Sequence, residues 1–487
     1  MTQLRLPCEL FMLVYIAIML NTAPKNGFRI ALLVAAFAFL SAAIMSRPPK
    51  SFNNFDQLSY LTIAYDIHRY GVFSNGIFDQ TDSNRTAPAA GMFFVPGYPV
   101  LVLAAMKLDS RFAKVVACSV EANADNNESA ECETYATPIH IVHALLLAFG
   151  VLAIAQSGAL IFRSTRVFWL AGALATGSLF AEGDLCSFIM TESMTISLYS
   201  IFMLFTVLAW KTSRIRYFAL AGIFLGLLCL TRPSFVVVIP VMLALIVLNG
   251  QWHVQKNSTP LWTHLLVFVT ACFVVVGPWI VRNHVSVGKW GLTEEYGSAV
   301  LIERFAYNDM TAWEIMLAFP YCTPGIGDIA FDQVYGKDSM HRFVYHTRDS
   351  FFHVGRGRRD TLVKESGHLD PLIAGIVFDE MRTNWWRHLL VSIPLGWCGM
   401  WVGWLWSLLL VPLFGWACVR AAQRSQPLLL FYAAPAVVML CLHAVVANEH
   451  TRYNLVLIGP FSVGAAWIIS ETLRNARWRS RSLAPGP

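Results

Sequence analysis

Charged side chains are scarce in this chain. Asp, Glu, Lys and Arg make up 14% of its 487 residues against 56% hydrophobic ones, and the mean hydropathy is +0.53, which excludes an ordinary soluble domain. Ten cysteines are present, but no two stand in a Cys-x-x-Cys spacing, so the common zinc and dithiol frameworks are excluded. There is no Walker glycine loop and no dinucleotide fingerprint, which argues against a nucleotide-sugar site on the cytoplasmic side. Internal repeats are missing too, and with them the usual mark of a transporter built from two halves. No cleavable signal peptide is convincing: the first apolar run, Leu6 to Leu20, is short for a span and lacks a small-residue cleavage site, so it is either a tight first helix or an interfacial one. The net charge of +6 does not call for nucleic acid, because Lys and Arg cluster beside apolar runs as membrane orientation requires.

What is present is a series of apolar runs of helical length, which predicts an all-α polytopic membrane protein with about ten or eleven transmembrane helices. The runs are Phe28 to Met45, Ile139 to Phe162, Val167 to Ala181, Phe188 to Trp210, Phe218 to Leu230, Phe235 to Leu248 and Leu261 to Val281, then a Trp-rich run from His388 to Val419, Leu428 to Val446 and Tyr453 to Ile469. Basic residues at Lys25, Arg163, Lys211, Lys256, Arg420 and Arg474 place the intervening ends in the cytoplasm. The chain then divides into an N-terminal apolar segment (1–27), a membrane core (28–281) holding a large first outer loop (46–138), an outer polar region (282–387), C-terminal membrane helices (388–471) and a basic cytoplasmic tail (472–487).

The first outer loop carries SFNNFDQLSYLTIAYDIHRYGVF, Ser51 to Phe73. Ser59, Thr62, Asp66 and Arg69 recur at three- and four-residue steps while Leu58, Leu61, Ile63, Tyr65 and Ile67 fill the remainder, the pattern of an amphipathic helix lying in the membrane surface. Gly71 ends it, and Asp56 stands at its start, where a carboxylate is favoured as an N-cap and by the helix dipole. Val95 to Leu108 is too short to span and reads as a re-entrant or surface helix. On this topology Asp56, Glu182, Asp184, Arg232, Arg282 and the group Glu449, His450 and Arg452 all fall at outer ends of spans. An arginine there can simply snorkel to water; acids and bases gathered on one rim point instead to a site.

Asp56, Tyr60, Ala64, Ile67 and Gly71 in DQLSYLTIAYDIHRYG, followed by Pro96, Tyr98 and Pro99 in VPGYP, resemble the first outer loop of the GT-C superfamily of integral-membrane glycosyltransferases, in particular the protein mannosyltransferase (family 39) and aminoarabinose-transferase type. Thr191 to Ser193 (TES), Leu230 to Pro233 (LTRP), Pro278 to Asn283 (PWIVRN) and Arg452 with Tyr453 follow in the same order. The resemblance implies a GT-C fold and transfer of a sugar from a polyprenyl-phosphate donor to a hydroxyl of a lipid, glycan or protein acceptor, on the outer face of a membrane, expected to be a bacterial inner membrane. Asp56 aligns with the family's catalytic aspartate and would be the general base of an inverting displacement. Arg232, Arg282 and Arg452 are candidates to receive the charge of the lipid phosphate, and Tyr60, Tyr98, Glu192, Glu449, His450 and Tyr453 are candidates for the substrate pocket.

No cofactor is required on this reading, although Glu182 and Asp184 stand where related oligosaccharyltransferases carry a metal-holding acidic pair, which keeps a divalent metal open; a structural or acceptor-orienting role for the pair is preferred. Cys118 and Cys132 sit together in the acidic insert from Ser110 to Thr137 and are expected to form a disulfide if that compartment is oxidising. Cys322 is left unpaired, and Cys8, Cys186, Cys229, Cys272, Cys398, Cys418 and Cys441 read as small buried hydrophobes. The basic run HRFVYHTRDSFFHVGRGRRD reads as a solvated face, and Asp370 to Trp386 as a helix leading into the next span. Membrane lipids are expected partners and nucleic acid is not. The competing reading is a lipid or solute transporter, which should place its polar groups near the bilayer midplane rather than on one rim.

Overall fold

A computed structural model describes residues 26–47, 51–52, 55–76, 87–124, 132–253, 260–336, 338–345, 347–447 and 450–482; Leu6 to Leu20, Cys8, Lys256 and Glu449 lie outside them. Every regular element among the described residues is helical. Among the described residues, eight helices are long and apolar enough to cross a membrane: Gly27–Met45, Thr137–Phe162, Glu192–Thr212, Pro233–Gly250, Leu261–Val287, Trp404–Gln423, Pro427–Val446 and Thr451–Asn475. We number the α-helices α1 (Asn26–Met45), α2 (Phe55–Tyr70), α3 (Gly97–Leu108), α4 (Ser110–Ala124), α5 (Thr137–Phe162), α6 (Thr165–Ala181), α7 (Gly183–Ser187), α8 (Glu192–Thr212), α9 (Ile215–Cys229), α10 (Val238–His253), α11 (Leu261–Val287), α12 (Tyr296–Phe305), α13 (Ala312–Cys322), α14 (Phe331–Tyr335), α15 (Phe351–Ser366), α16 (Asp370–Gly399), α17 (Ser407–Gln423), α18 (Pro427–Val446) and α19 (Ile458–Ser482).

The shorter α6 and α9 pack into the same bundle. In α9 the reason is local: a Cβ on Gly222 would stand 2.3 Å from the Phe268 carbonyl oxygen of α11, and one on Gly226 would stand 2.9 Å from that of Cys272. Two glycines four residues apart let the backbones meet, the usual device for joining helices that lipid cannot drive together by itself. The main core runs through α5, α6, α8, α9 and α19, with Leu147, Val151, Phe168, Phe202, Leu225 and Val463 among its fully buried side chains.

At one end of the bundle α2, α3 and α4 share a second core of Leu61, Ala64, Tyr98, Val102, Val116 and Ile139. Here the expected surface helix is corrected. Ser59, Thr62 and Asp66, the predicted wet face of α2, are buried along with Leu58, Leu61 and Ile63, because the chain after Gly71 folds back over them. Ser74 Oγ donates to Asp66 Oδ2 at 2.6 Å, so Asp66 is satisfied by protein rather than by water, while Thr62 Oγ1 is buried without a hydrogen-bond partner. Within α4 the acidic insert is helical, and a disulfide joins Cys118 to Cys132 with Cα atoms 5.9 Å apart; a loop of that size is worth about 3 kcal/mol in the chain-entropy account.

Two further expectations fail in the region from 282 onward. Cys322 is not unpaired and Cys398 is not a plain buried hydrophobe: they form a second disulfide, Cα to Cα 5.0 Å. Packing of α13 on α16 brings the end of one beside the last turn of the other, a meeting hidden in sequence by a separation of 76 residues. The run from His388 to Val419 is not one span either. It is the second half of α16, a turn, and then α17. Gly403 makes the turn with φ +88°, a left-handed conformation that glycine adopts without penalty. Around α13, α16 and α18 a third core gathers Tyr307, Met310, Phe331, Phe351, Val391 and Leu395.

Candidate active site

The VPGYP and LTRP motifs touch each other. Gly97 N–H donates to the Leu230 carbonyl at 2.7 Å, and a Cβ on Gly97 would lie 2.5 Å from that oxygen, so only glycine permits the contact. This pins the short loop between α9 and the 3-10 turn Pro233–Val237, and Arg232 projects from it. Gln57, next to Asp56 in α2, accepts the Ile189 N–H at 2.9 Å through its side-chain oxygen, fixing the segment that leads into Thr191 and Glu192 at the start of α8. The fourth piece is the 3-10 helix Thr451–Leu457, braced behind by a bond between His443 Nδ1 and Asn454 Oδ1 at 2.9 Å.

These four segments converge on one cluster. Arg232 donates from Nε to Thr191 Oγ1 and from Nη2 to Glu192 Oε1, both at 2.8 Å. Arg452 donates from Nη2 to Asp56 Oδ2, and its Nε stands 3.5 Å from the same Glu192 oxygen. Glu192 therefore lies between two guanidiniums, and two carboxylates balance two cations. Tyr453 presents its ring to both, 5.6 Å from Arg232 and 5.2 Å from Arg452, a favourable face for a cation. Side-chain exposure rises from 1% at Glu192 and 12% at Arg232 to 23% at Arg452 and 31% at Asp56, so Asp56 is the member most open to a reactant.

Asp56 lies inside the first turn of α2 rather than only capping it. Burial alone would raise its pKa, but the charge and hydrogen bond of Arg452, with lesser help from Arg232 and His450, hold its carboxyl below the usual range. Glu192 Oε2, Arg452 Nε and Gln57 Nε2 are buried atoms with no hydrogen-bond partner, a residue of bonding capacity beside the ion pairs that native interiors rarely leave.

An aromatic wall stands next to the cluster. Tyr60 packs against Tyr98 and Phe94 with ring centres 5.1 and 5.3 Å apart, and Phe94 against Tyr296 at 6.1 Å. Burial, then the charges of Tyr296 and Asp56, keep the Tyr60 hydroxyl protonated. Tyr98 Oη meets His143 Nε2 at 2.9 Å, and His143 Nδ1 meets the Cys186 carbonyl at 3.0 Å. A carbonyl only accepts, so the imidazole carries its hydrogen on Nδ1 and accepts a hydrogen bond from the Tyr98 hydroxyl on Nε2. His450 reaches the edge of the group, with ring centres 6.2 Å from Tyr453 and 6.0 Å from Tyr345.

Other predicted residues are elsewhere. Arg282 donates to the main-chain carbonyls of Gly91 (2.5 Å) and Phe73 (2.8 Å) and to Asn283 Oδ1 (3.0 Å), tying the loop after α2 to α11. Glu182 accepts the Gly403 N–H at 2.7 Å, and Asp184 pairs with Arg47 at 3.5 Å, so the two acids are committed to different partners. Among the described residues the acidic and histidine ligand atoms that do converge belong to Glu294, Glu295 and His368, at an exposed edge. Gln57 and Tyr296 are not among the candidates that the sequence marks, and Thr191 is marked by its motif without a role of its own. Thr191 was visible as the first residue of TES; nothing around Tyr296 marked it.

Residues 133–281 match the family model described as dolichyl-phosphate-mannose-protein mannosyltransferase. The match supports the resemblance to the GT-C glycosyltransferases; it includes Thr191, Glu192 and Arg232 and stops short of Asp56 and Arg452. No curated protein sequence matches the chain. Among solved structures, the archaeal oligosaccharyltransferase AglB from Archaeoglobus fulgidus, in complex with an inhibitory peptide and a dolichol-phosphate, aligns at TM-score 0.46 and 14% identity over 95% of this chain. The chain spans about half, 53%, of that protein's length. ArnT from Cupriavidus metallidurans in the apo state aligns at TM-score 0.36 and 13% identity, over 90% of this chain and 78% of its own.

Proposed function

We propose that this chain is an integral-membrane glycosyltransferase that moves a sugar from a polyprenyl-phosphate donor to an acceptor hydroxyl, with inversion, at the Asp56 end of the bundle, and that this end faces the periplasm or lumen. The observation that carries the reading is the meeting of one accessible carboxylate with two arginines held in place by a buried one. The family match over 133–281 supports a lipid-linked sugar as the donor. The two disulfides support an oxidising compartment for the segments that carry them.

The acceptor hydroxyl attacks the anomeric carbon as its proton passes to the Asp56 carboxylate, and the bond from that carbon to the phosphate oxygen breaks. The electron pair stays on the lipid phosphate, where Arg232 and Arg452 meet it with charge-assisted hydrogen bonds. Before the donor arrives, Arg452 is spent on Asp56 and keeps it a weak base. A phosphate that shares Arg452 loosens that hold, so the carboxylate becomes more basic once the donor is in place. Glu192 is a positioning residue in this scheme: it keeps two like charges side by side in a buried site. No step passes through a metal, and activity is expected to survive chelation.

The direct test supplies purified protein with a labelled lipid-linked sugar and follows release of the polyprenyl phosphate. Release that a chelator leaves intact and that Asp56→Asn removes supports the proposal; movement of the lipid across the bilayer without release would make the protein a transporter. Single cysteines beside Asp56 and Asp184 should react with an impermeant thiol reagent outside intact cells, and one beside Arg214 should not.

A further inference from the structure

From Phe378 onward α16 is built inside out. Its polar groups face the protein: Glu380 accepts from Asn308 at 2.7 Å, His388 Nε2 meets the Val445 carbonyl at 2.9 Å, and Ser392 Oγ takes a bond from the fully buried Arg304 at 3.0 Å. Its large apolar side chains face away. Phe378, Trp385, Leu389 and Ile393 recur at helical spacing and are 65%, 56%, 53% and 60% exposed, with Trp386 at 54% beside them. An apolar stripe outside and a hydrogen-bonded polar stripe inside is the reverse of a helix that meets water. The neighbouring α13 repeats the pattern, with Trp313 and Met316 exposed one turn apart.

We propose that this face of α13 and α16 lies in the lipid leaflet at the Asp56 end of the bundle, with phospholipid acyl chains as its occupant. Two observations choose lipid over other covers. In sequence the helix leads into a membrane helix: beyond the turn at Gly403, Leu405, Leu408 and Leu409 are exposed in Trp404–Gln423, a candidate span with 22% of its apolar stretch buried. The order along α16 is also that of a bilayer edge, with exposed Asp379 and Arg382 first, the Trp385–Trp386 pair next, and only Leu and Ile exposed beyond; tryptophan and arginine settle at headgroup level and aliphatic side chains below it. The region that composition marks as polar is thus a plate set into the membrane by one face. This inference does not rest on the transferase reading.

The test uses the full chain in phosphatidylcholine vesicles, with both disulfides kept and the remaining cysteines replaced by alanine. A nitroxide is placed in turn at Leu389, at Ile393 and, as a control, at the exposed Lys364 of α15. Collision with molecular oxygen, which concentrates in acyl chains, is compared with collision with a water-soluble nickel chelate. The oxygen-to-nickel ratio should be about tenfold higher at Leu389 and Ile393 than at Lys364 if the face lies below the headgroups. A ratio at those sites equal to that at Lys364 would mean a water-facing plate, and exclusion of both reagents would mean that a second copy or another protein covers it; either result overturns the proposal. Acyl-chain brominated lipids give a second measure without labels on the stripe, since the quenched share of tryptophan emission should drop in Trp385→Phe/Trp386→Phe and an unchanged share would count against the inference.

Discussion

Four arginines stand at the same end of this protein and are held in two different ways. Arg232 and Arg452 are held by the carboxylates of Glu192 and Asp56. Arg282 and Arg304 are held by uncharged oxygens of carbonyls, amides and a hydroxyl: Gly91, Phe73 and Asn283 for the first, Ala444, Asn308 and Ser392 for the second. The difference is one of exchange. A carboxylate is an anion that a phosphate can replace at a guanidinium with little change in charge, whereas a main-chain carbonyl stripped of its donor stays buried and unsatisfied. Carboxylate-held arginines suit a site that takes an anion and gives it up, and carbonyl-held ones suit a fixed joint between segments.

The strongest way to break this comparison is at its acidic member. Asp56→Asn keeps the side chain's shape and its hydrogen-bonding reach but removes the base, so turnover should drop by about 10² to 10⁴ with the fold retained. Near-parental turnover in a folded Asn variant would remove Asp56 from the chemistry. Next come the two exchangeable arginines. Arg232→Lys and Arg452→Lys keep the charge and lose the fork that meets two oxygens, and at least one should lower kcat/KM for the donor by about tenfold, or ~1.4 kcal/mol. Parental transfer by both would make them ordinary membrane-edge cations.

The pH profile sharpens the Asp56–Arg452 pair. With Arg452 present the carboxyl is held below its usual range, so the base is ionised at neutral pH and the acid limb of kcat/KM lies below the ordinary aspartate value of about 4. The pair's contribution to stability has the same sign: it is present above the unfolded-state pKa and fades as pH falls through the lowered one. Arg452→Gln removes the largest lowering influence and leaves burial, which raises the pKa, so the acid limb should move toward neutrality. An unmoved limb would mean that the titrating group is not Asp56. Glu192→Gln changes the four-group cluster from neutral to +1 and frees the two guanidiniums to separate. An anionic donor should bind no more weakly, while kcat falls by roughly fivefold, or about 1 kcal/mol; a raised donor KM with kcat intact would assign Glu192 to binding instead of positioning.

Much of this was legible in the sequence, and the part that was not has a physical cause. Apolar run length fixes spans, so the helices of the bundle could be drawn, and the expected topology put Asp56, Arg232 and Arg452 on one rim, with Glu192 a pocket candidate through the TES motif. Sequence carries no sign of how an arginine is held, which is why Arg282 in PWIVRN stood beside Arg232 in LTRP as an equal candidate. It also cannot show that a loop folds back: Ser59, Thr62 and Asp66 have the spacing of a wet face and are covered by the chain around Ser74. Cys322 and Cys398 are joined across 76 residues, beyond any local pattern. Tyr296 lies in a stretch with no periodic signal, and the packing of Phe93 and Phe94 against it brings it to the site.

The smallest effect on catalysis is expected at Arg282, and it is where the comparison is most exposed to failure. Its guanidinium spends one nitrogen on Gly91 and Asn283 and the other on Phe73, and it lies over the rings of Trp279 and Phe73 at 4.9 and 5.3 Å. Lysine cannot reach two carbonyls on different residues and an amide at once, so Arg282→Lys should loosen the return loop over α2. Losing hydrogen bonds to a charged donor predicts a loss of about 1.5 to 3 kcal/mol in stability, seen as a lower thermal midpoint in detergent. Donor kcat/KM should stay within about twofold, since no exchangeable anion is touched. If the variant keeps its thermal midpoint and loses donor affinity by about tenfold, or ~1.4 kcal/mol, then Arg282 leaves its carbonyls to hold the phosphate, and carbonyl-held arginines belong to the site after all.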